Sequence, residues 1–390
     1  MKPPPKGSLR FNHPWIYRSQ IKEENSAKAP QPGSLVEVRA SGNRFAGIGY
    51  FNPRSEITVR LLTWKPEAID GNFFKARLLK AFELRKKYVK DTNAFRVVSS
   101  EADGLPGLIV DRYGETAVVQ FLTLGMENFK PLILEALEET RIAEGGIYEK
   151  SDSGSRRLEG LEEKTGWIRQ NCGDEILIFE RNVKYRIHFS GGQKTGFYLD
   201  QRENRCLLAD LGVQGNVLDG FCYSGGFGLH LALGGSNVLG IDSQPEAIRQ
   251  AEENRALNAV PEERLVFKTA NVFDELRALE KERRKFDLVI LDPPSFVKKR
   301  DALAGALAGY KEILLRGMRI LNEGGLLAVF SCSYHVNDDL LMQACLSAAM
   351  DTRKSLKVIR FLKQSSDHPI DPFIPETYYL KGFLFLVSSI

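Results

Sequence analysis

The sequence predicts an α/β fold: a Rossmann-like, mostly parallel sheet with a terminal antiparallel hairpin, preceded by a small β-barrel and a central α+β domain. Three observations predict it. From residue 191 onward, apolar strand-like runs alternate with helix-like runs, the rhythm of a parallel sheet covered on both faces. Between Val217 and Asp242 a strand, a glycine-rich turn, a helix and a second strand ending in an acid follow one another. Ahead of this half, runs are short and punctuated by Gly, Asn and Pro, as in small β-rich units.

Residues 1–68 read as the barrel. Ser34 to Val38 alternates, Phe45 to Phe51 and Ile57 to Leu62 follow, and His13-Pro14-Trp15-Ile16-Tyr17 precedes them. Residues 69–190 read as the central domain. A helix spans 70–90, with Phe73, Phe74, Leu78, Ala81 and Phe82 at helical spacing. Strands follow at Phe95 to Ser99, Leu108 to Val110 and Thr116 to Leu122, then a helix at Leu132 to Glu139 and a strand from Gly146. A hairpin turns at Arg181-Asn182. In residues 191–390 the strands are Val217-Leu218, Val238 to Ile241, Leu265 to Phe267, Leu288 to Leu291 and Leu326 to Phe330, with helices between them. Tyr378 to Val387 reads as a strand pair linked at Lys381-Gly382.

The chain has 390 residues, 43% hydrophobic and 27% charged, which describes a globular protein of two or three domains. Its net charge of +4 is a weak pointer to nucleic acid, although basic residues cluster at Arg156-Arg157, Arg283 to Lys285 and Lys298 to Arg300. No apolar run is long enough to span a bilayer, and the first residues lack the apolar core of a signal peptide. Five scattered cysteines without a Cys-x-x-Cys pair suit a reducing cytoplasm and predict neither disulfides nor a metal site.

Gly225, Gly226 and Gly228 follow a strand directly, a place where backbone approaches a ligand. Asp242 ends the next strand, where a carboxylate accepts from ribose hydroxyls. The dinucleotide pattern Gly-x-Gly-x-x-Gly is absent, and Phe221 and Tyr223 flank the turn. Asp219 would repel a pyrophosphate but suits a cationic amino-acid moiety, which favours S-adenosylmethionine over NAD. The cofactor-binding set is therefore Asp219, Phe221, Tyr223, Ser224, Gly225, Gly226, Asp242, Ser243, Asn271, Val272 and Asp292. The Gly-rich stretch before it adds Phe197 and Tyr198 for packing, and Gln201 and Arg202 for the methionine carboxylate.

Two strand ends carry candidate chemistry. Leu291-Asp292-Pro293-Pro294-Ser295-Phe296 fixes an acid in a rigid loop, because proline locks φ. Phe330-Ser331-Cys332-Ser333 brings a thiol out of the core between two serines, the situation of an activated nucleophile. Cys332 and Asp292 are thus the catalytic candidates. Cys222, Cys206 and Cys345 read as packing.

Lys194 to Arg202, Asp219 to Gly226, Leu291 to Phe296, Phe330 to Ser333, Asp367-His368-Pro369 and Tyr379-Leu380-Lys381-Gly382-Phe383 stand in an order that resembles RlmI-type 23S ribosomal RNA cytosine-C5 methyltransferases. His13-Pro14-Trp15 and Glu101 to Gly107 resemble that family's N-terminal and central domains. The resemblance implies an N-terminal PUA domain, a class I S-adenosylmethionine methyltransferase domain and a 23S ribosomal RNA substrate. It implies Cys332 as nucleophile and Asp292 as partner of the base. Such enzymes usually carry an acid after the third strand for the adenine amino group; Asn271 departs from that pattern, and its amide oxygen is expected to accept the same hydrogen bond more weakly. A homodimer is compatible with these features. Alternatives are methylation of a guanine nitrogen, a non-catalytic RNA-binding protein that retains the cofactor, and a small-molecule methyltransferase.

Overall fold

The computed structural model describes residues 12–21, 30–189, 195–296 and 302–390. Two compact units emerge. One comprises the chain up to Arg181 with Ile187–Leu199 and Ser366–Thr377; the other comprises Asn182–Arg186, Asp200–Ser365 and Tyr378–Ile390.

The first unit opens with β1 (Trp15–Tyr17), β2 (Leu35–Ala40), β3 (Arg44–Phe51) and β4 (Ile57–Thr63), an antiparallel sheet of order β1-β4-β3-β2. The segment expected to precede the barrel thus supplies one of its strands. There follow α1 (Gly71–Tyr88), β5 (Ala94–Ser99), β6 (Leu108–Tyr113), β7 (Thr116–Phe121), α2 (Leu124–Asn128), α3 (Lys130–Glu139), β8 (Gly146–Ser151), α4 (Ser155–Leu158) and β9 (Lys164–Arg169). The five strands order as β5-β6-β7-β8-β9 and are parallel only between β7 and β8. Asp70 starts α1 by accepting from Phe73 N at 3.0 Å, which satisfies an amide the helix itself leaves unpaired. The apolar face of α1, Phe74, Leu78 and Ala81, then packs with Val97, Val119, Leu134 and Leu137. Tyr50 and Leu62 of the first sheet join this same core. The Tyr50 hydroxyl donates to Pro106 O at 2.7 Å, and a Cβ on Gly125 would stand 2.1 Å from its ring. β10 (Glu175–Glu180) and β11 (Val183–His188) pair as the hairpin expected at Arg181-Asn182.

The second unit contains α5 (Arg202–Asp210), β12 (Asn216–Gly220), α6 (Gly226–Leu233), β13 (Asn237–Asp242), α7 (Pro245–Leu257), β14 (Leu265–Thr269), α8 (Val272–Lys281), β15 (Phe286–Leu291), α9 (Leu303–Ile320), β16 (Leu321–Ser331), α10 (Asp338–Thr352), β17 (Lys354–Lys363) and β18 (Lys381–Ser389). Seven strands order as β14-β13-β12-β15-β16-β18-β17, the first five parallel and β18 antiparallel to both of its neighbours, β16 and β17. The chain reverses direction across the sheet between β12 and β15, so ligand chemistry belongs at the carboxyl ends of these strands. Their inward residues Leu218, Ile241, Val289, Leu291 and Val329 form a core with Tyr310, Ile313 and Leu314 of α9.

The C-terminal hairpin differs from expectation. Its strands are β17 and β18, and Lys381 and Gly382 lie inside β18, opposite Ser331 and Phe330 of β16. A Lys-Gly dipeptide reads as a turn by composition. Here the glycine serves close strand approach instead: a Cβ would stand 2.7 Å from Val329 O and 2.8 Å from the Phe330 ring. β17 escapes sequence reading because it is an edge strand whose Lys357, Val358, Ile359 and Arg360 are all exposed, so no apolar alternation marks it.

Candidate active site

β12 delivers Asp219 to the switch point and the loop after it turns sharply. Phe221 N and Cys222 N both donate to Ile241 O, at 2.8 and 2.9 Å. Phe221 and Tyr223 take positive φ, 68° and 49°, a conformation that non-glycine residues hold only when their surroundings enforce it. Asp242 is part of that enforcement. Its Oδ2 accepts from Tyr223 N at 3.0 Å and its Oδ1 from Gln244 N at 2.9 Å. The carboxylate expected to face a ribose thus also braces the loop. The glycines answer internal crowding: a Cβ on Gly225, whose φ is +82°, would meet the Phe267 ring at 2.6 Å, and one on Gly226 would meet Arg205 at 3.0 Å.

Asp219 is buried, with 1% exposure. Gly228 N donates to its Oδ2 at 3.0 Å, while Oδ1 has no partner among the described residues. Burial pushes its carboxyl up to about 7; the Gly228 amide and Arg205 oppose the rise, and Asp292 and Asp242 add to it. Three carboxylates therefore act on one another here, and the buried Ser224 hydroxyl also has no partner among the described residues. Buried polar atoms without partners call for a ligand that completes them. One open carboxylate oxygen and one open hydroxyl beside two further carboxylates suit the cationic groups of a ligand. They do not suit a pyrophosphate. Asn271 is exposed and caps α8, its Oδ1 accepting from Phe273 N at 2.9 Å and Asp274 N at 3.4 Å. The oxygen expected to meet the adenine amino group is thus already engaged. Val272 is buried beside it in the core, and Ser243 is exposed.

The residues before β12 divide. Gln201 and Arg202 belong to the second unit and are buried; Phe197 and Tyr198 belong to the first. Gln201 Nε2 donates to Asp292 Oδ2 at 2.9 Å, so its amide is directed to the carboxylate of the Pro-Pro loop rather than left open for a methionine carboxylate. Arg202 lies 3.8 Å from Glu203. Gly191 to Lys194 of the same motif, and the basic cluster Lys298 to Arg300, lie outside the described residues.

Asp292 and Cys332 follow the ends of adjacent parallel strands, β15 and β16. Both are partly exposed, while Ser331 and Ser333 are fully buried. Ser295 Oγ and Ser333 Oγ share a hydrogen bond of 3.0 Å that ties the two strand ends together, and Tyr310 donates to Ser331 Oγ at 2.8 Å. Burial pushes the Tyr310 phenol up to about 12, and the nearby Cys332 and Asp292 add to the rise. The other thiols of this unit's core are held protonated: burial raises Cys222 well above its ordinary range and Cys345 to about 12. Tyr310, Arg205 and Asn204 carry no motif and escaped sequence reading. Lys381 stands in the Tyr379 to Phe383 motif, where composition reads as a turn, yet it is a strand residue.

Residues 2–64 match the family of PUA-like domains, and residues 159–385 match the S-adenosylmethionine-dependent methyltransferases. The chain is 37% identical over 389 residues to ribosomal RNA large subunit methyltransferase I of Shewanella denitrificans, covering 98% of each chain. It is 38% identical over 389 residues to the protein of the same name from Shewanella frigidimarina, again covering 98% of each. Among solved structures, a methyltransferase complexed with SAH shares the fold at a TM-score of 0.80 and 20% identity, over 92% of both chains. A SAM-dependent methyltransferase from Streptococcus mutans does so at 0.79 and 20%, over 92% of this chain and 93% of the other. A PUA-like domain, a class I methyltransferase sheet and an S-adenosylmethionine site thus stand in one chain, which belongs to the ribosomal RNA large subunit methyltransferase I family.

Proposed function

We propose that this S-adenosylmethionine-dependent methyltransferase modifies 23S ribosomal RNA at C5 of a cytosine, with Cys332 as the covalent nucleophile. The observation that carries the reading is the pairing of strand ends: a partly exposed thiol after β16 beside an acid after β15, with Ser295 and Ser333 linking the two. Methylation of a base nitrogen needs no thiol there.

C5 and C6 of a stacked cytosine are out of reach of a cleft, so the target base leaves its stack. The Cys332 thiolate bonds to C6, which moves electron density to C5. Asp292 accepts from the amino edge of the base and lends a proton to N3, which neutralises the negative charge that builds there as the thiolate adds, and takes the proton back as C5 is methylated. S-adenosylmethionine, when bound, would supply an electrophilic methyl group; Asp219 and Ser224 would meet its amino-acid end and Asp242 its ribose. Once the C5–methyl bond has formed, a base takes the C5 proton, the electron pair of the C5–H bond restores the C5–C6 double bond, and the thiolate leaves.

RNA carrying 5-fluorocytosine tests this. Fluorine at C5 is not removed as a proton, so wild-type enzyme accumulates as a covalent RNA adduct that resists denaturing gels. Cys332→Ala forms no adduct and no 5-methylcytosine, yet binds S-adenosylmethionine as before. Full 5-methylcytosine formation by Cys332→Ala overturns the reading, and a methylated guanine in the product favours the nitrogen alternative.

A further inference from the structure

Lys381 begins β18 directly opposite Ser331, one residue before Cys332 on the neighbouring strand. It is buried, with 3% exposure. Its Nζ donates to Ser333 O and Tyr379 O, each at 3.1 Å, so the ammonium grips the backbone immediately after the thiol. Among the described residues it forms no ion pair with a carboxylate. Two carbonyls satisfy two of its three donors and the Tyr378 ring stands 5.7 Å away, but among the described residues no carboxylate balances its charge. A buried ammonium normally has a counter-charge. Burial accordingly lowers the pKa of Lys381, and the two groups that push it back up are Asp338 and Cys332. Asp338 is already engaged by the Tyr378 hydroxyl at 2.8 Å.

We propose that Lys381 is a positioning residue that holds Cys332 as a thiolate, with Cys332 serving as counter-ion to the buried ammonium. The groups around the thiol make this the decisive contribution. Asp292 after β15 and Asp338 on α10 carry negative charge, and Tyr310 on α9 and Tyr378 before β18 are weak acids that burial keeps neutral. His335 lies in the turn that follows. Lys363 of β17 stands 5.2 Å from the Tyr378 ring, with that aromatic as its partner. Among the described residues, Lys381 is therefore the cation in contact with the backbone that carries the thiol. Its catalytic meaning rests on the cytosine-C5 reading above; the thiolate itself does not.

The test is the pH dependence of Cys332 alkylation by iodoacetamide in the full-length protein, read by mass spectrometry of the Cys332 peptide without RNA or cofactor. In the wild type the midpoint falls at least one unit below the ~8.5 of a free thiol. Lys381→Met returns it to ~8.5 or above, so alkylation near neutral pH slows about tenfold or more, because one pKa unit is a factor of ten in thiolate below the midpoint. Lys381→Arg, which keeps the charge, retains the low midpoint. A midpoint unmoved in Lys381→Met, or moved equally in both variants, overturns the proposal. The buried Cys222 and Cys345 report folding in each variant by staying unmodified. Should Lys381→Met not fold, the thiolate absorbance difference between wild type and Cys332→Ser decides: no thiolate titrating below ~8.5 overturns the proposal. Methylation by Cys332→Ala would remove the nucleophile reading and leave these outcomes unchanged, so the two failures are distinct.

Discussion

Gln201 Nε2 donates to Asp292 Oδ2 at 2.9 Å, and both residues sit at the carboxyl end of the sheet. Gln201 is itself held by Asn204, whose Nδ2 donates to Gln201 Oε1 at 2.6 Å and to Lys363 O at 2.9 Å. A line of hydrogen bonds thus runs from edge strand β17 through α5 to the Pro-Pro loop, and fixes how the Asp292 carboxylate is presented. Hydrogen bonds to charged groups are worth about 1.5–3 kcal/mol. Gln201→Leu should therefore lower turnover roughly tenfold or more, with a smaller change in S-adenosylmethionine affinity. Steady-state kinetics beside calorimetry separates the two effects. A larger loss in affinity than in turnover would return Gln201 to direct cofactor contact.

Asp219 makes cofactor binding depend on pH. Its folded-state carboxyl titrates near 7, raised by burial. An unfolded Asp titrates near ~3.9. Without ligand, its contribution to stability is thus fully present below ~3.9 and is lost as pH rises through about 7. A ligand ammonium placed beside it reverses the preference and favours the carboxylate. Binding should therefore release a proton below about 7 and tighten as pH rises, by up to about tenfold per unit, then level off. Calorimetry in two buffers of different ionisation enthalpy measures the proton release. Asp219→Asn should bind weakly and show a flat profile; a wild-type affinity independent of pH across this window would remove Asp219 from the ammonium site.

The PUA-like domain should add RNA affinity through phosphate contacts. Deleting it is a poor test, because Tyr50 and Leu62 belong to the core shared with β5–β9. Lys6 and Arg10 lie outside the described residues, and Arg18 donates to Pro53 O at 2.6 Å. Arg39 and Arg44 are exposed. Changing both to Glu should weaken RNA binding and flatten its salt dependence, since each lost phosphate contact reduces the log–log slope by about 0.7–0.9. Cofactor affinity should stay constant. Unchanged RNA affinity at matched salt would exclude this face.

Gly382 offers a stability test of the β16–β18 contact. An added methyl group meets Val329 O and the Phe330 ring at under 3 Å, so the strands must separate. Overpacking of this kind costs about 1–3 kcal/mol. Gly382→Ala should lower the thermal midpoint by several degrees, whereas Gly154→Ala, with nothing within 4 Å, should leave it close to wild type. Equal midpoints would show that the strand pair accommodates the methyl group.

Much of the molecule was legible because the chemistry of its parts is local. The alternation of apolar strands and helices from β12 to β16 follows from side-chain periodicity, and the turn after Asp219 announces itself through its glycines. Asp292 and Cys332 stand out because each ends an apolar run with a residue that has no place in a core. The order of elements, the class of sheet and the acids and thiol at its edge can thus be read from residue order alone. Which of these groups come into contact is set by packing in three dimensions. Lys381 and Ser333 are far apart along the chain, and their meeting depends on β18 running antiparallel to β16 in one register. Gln201 finds Asp292 only because α5 packs at the sheet's carboxyl end. Asp219 acquires its raised pKa from burial and from two other carboxylates brought in by other strands. Periodicity is a property of neighbours in sequence; desolvation, register and charge proximity belong to neighbours in space, and these set the chemistry of the site.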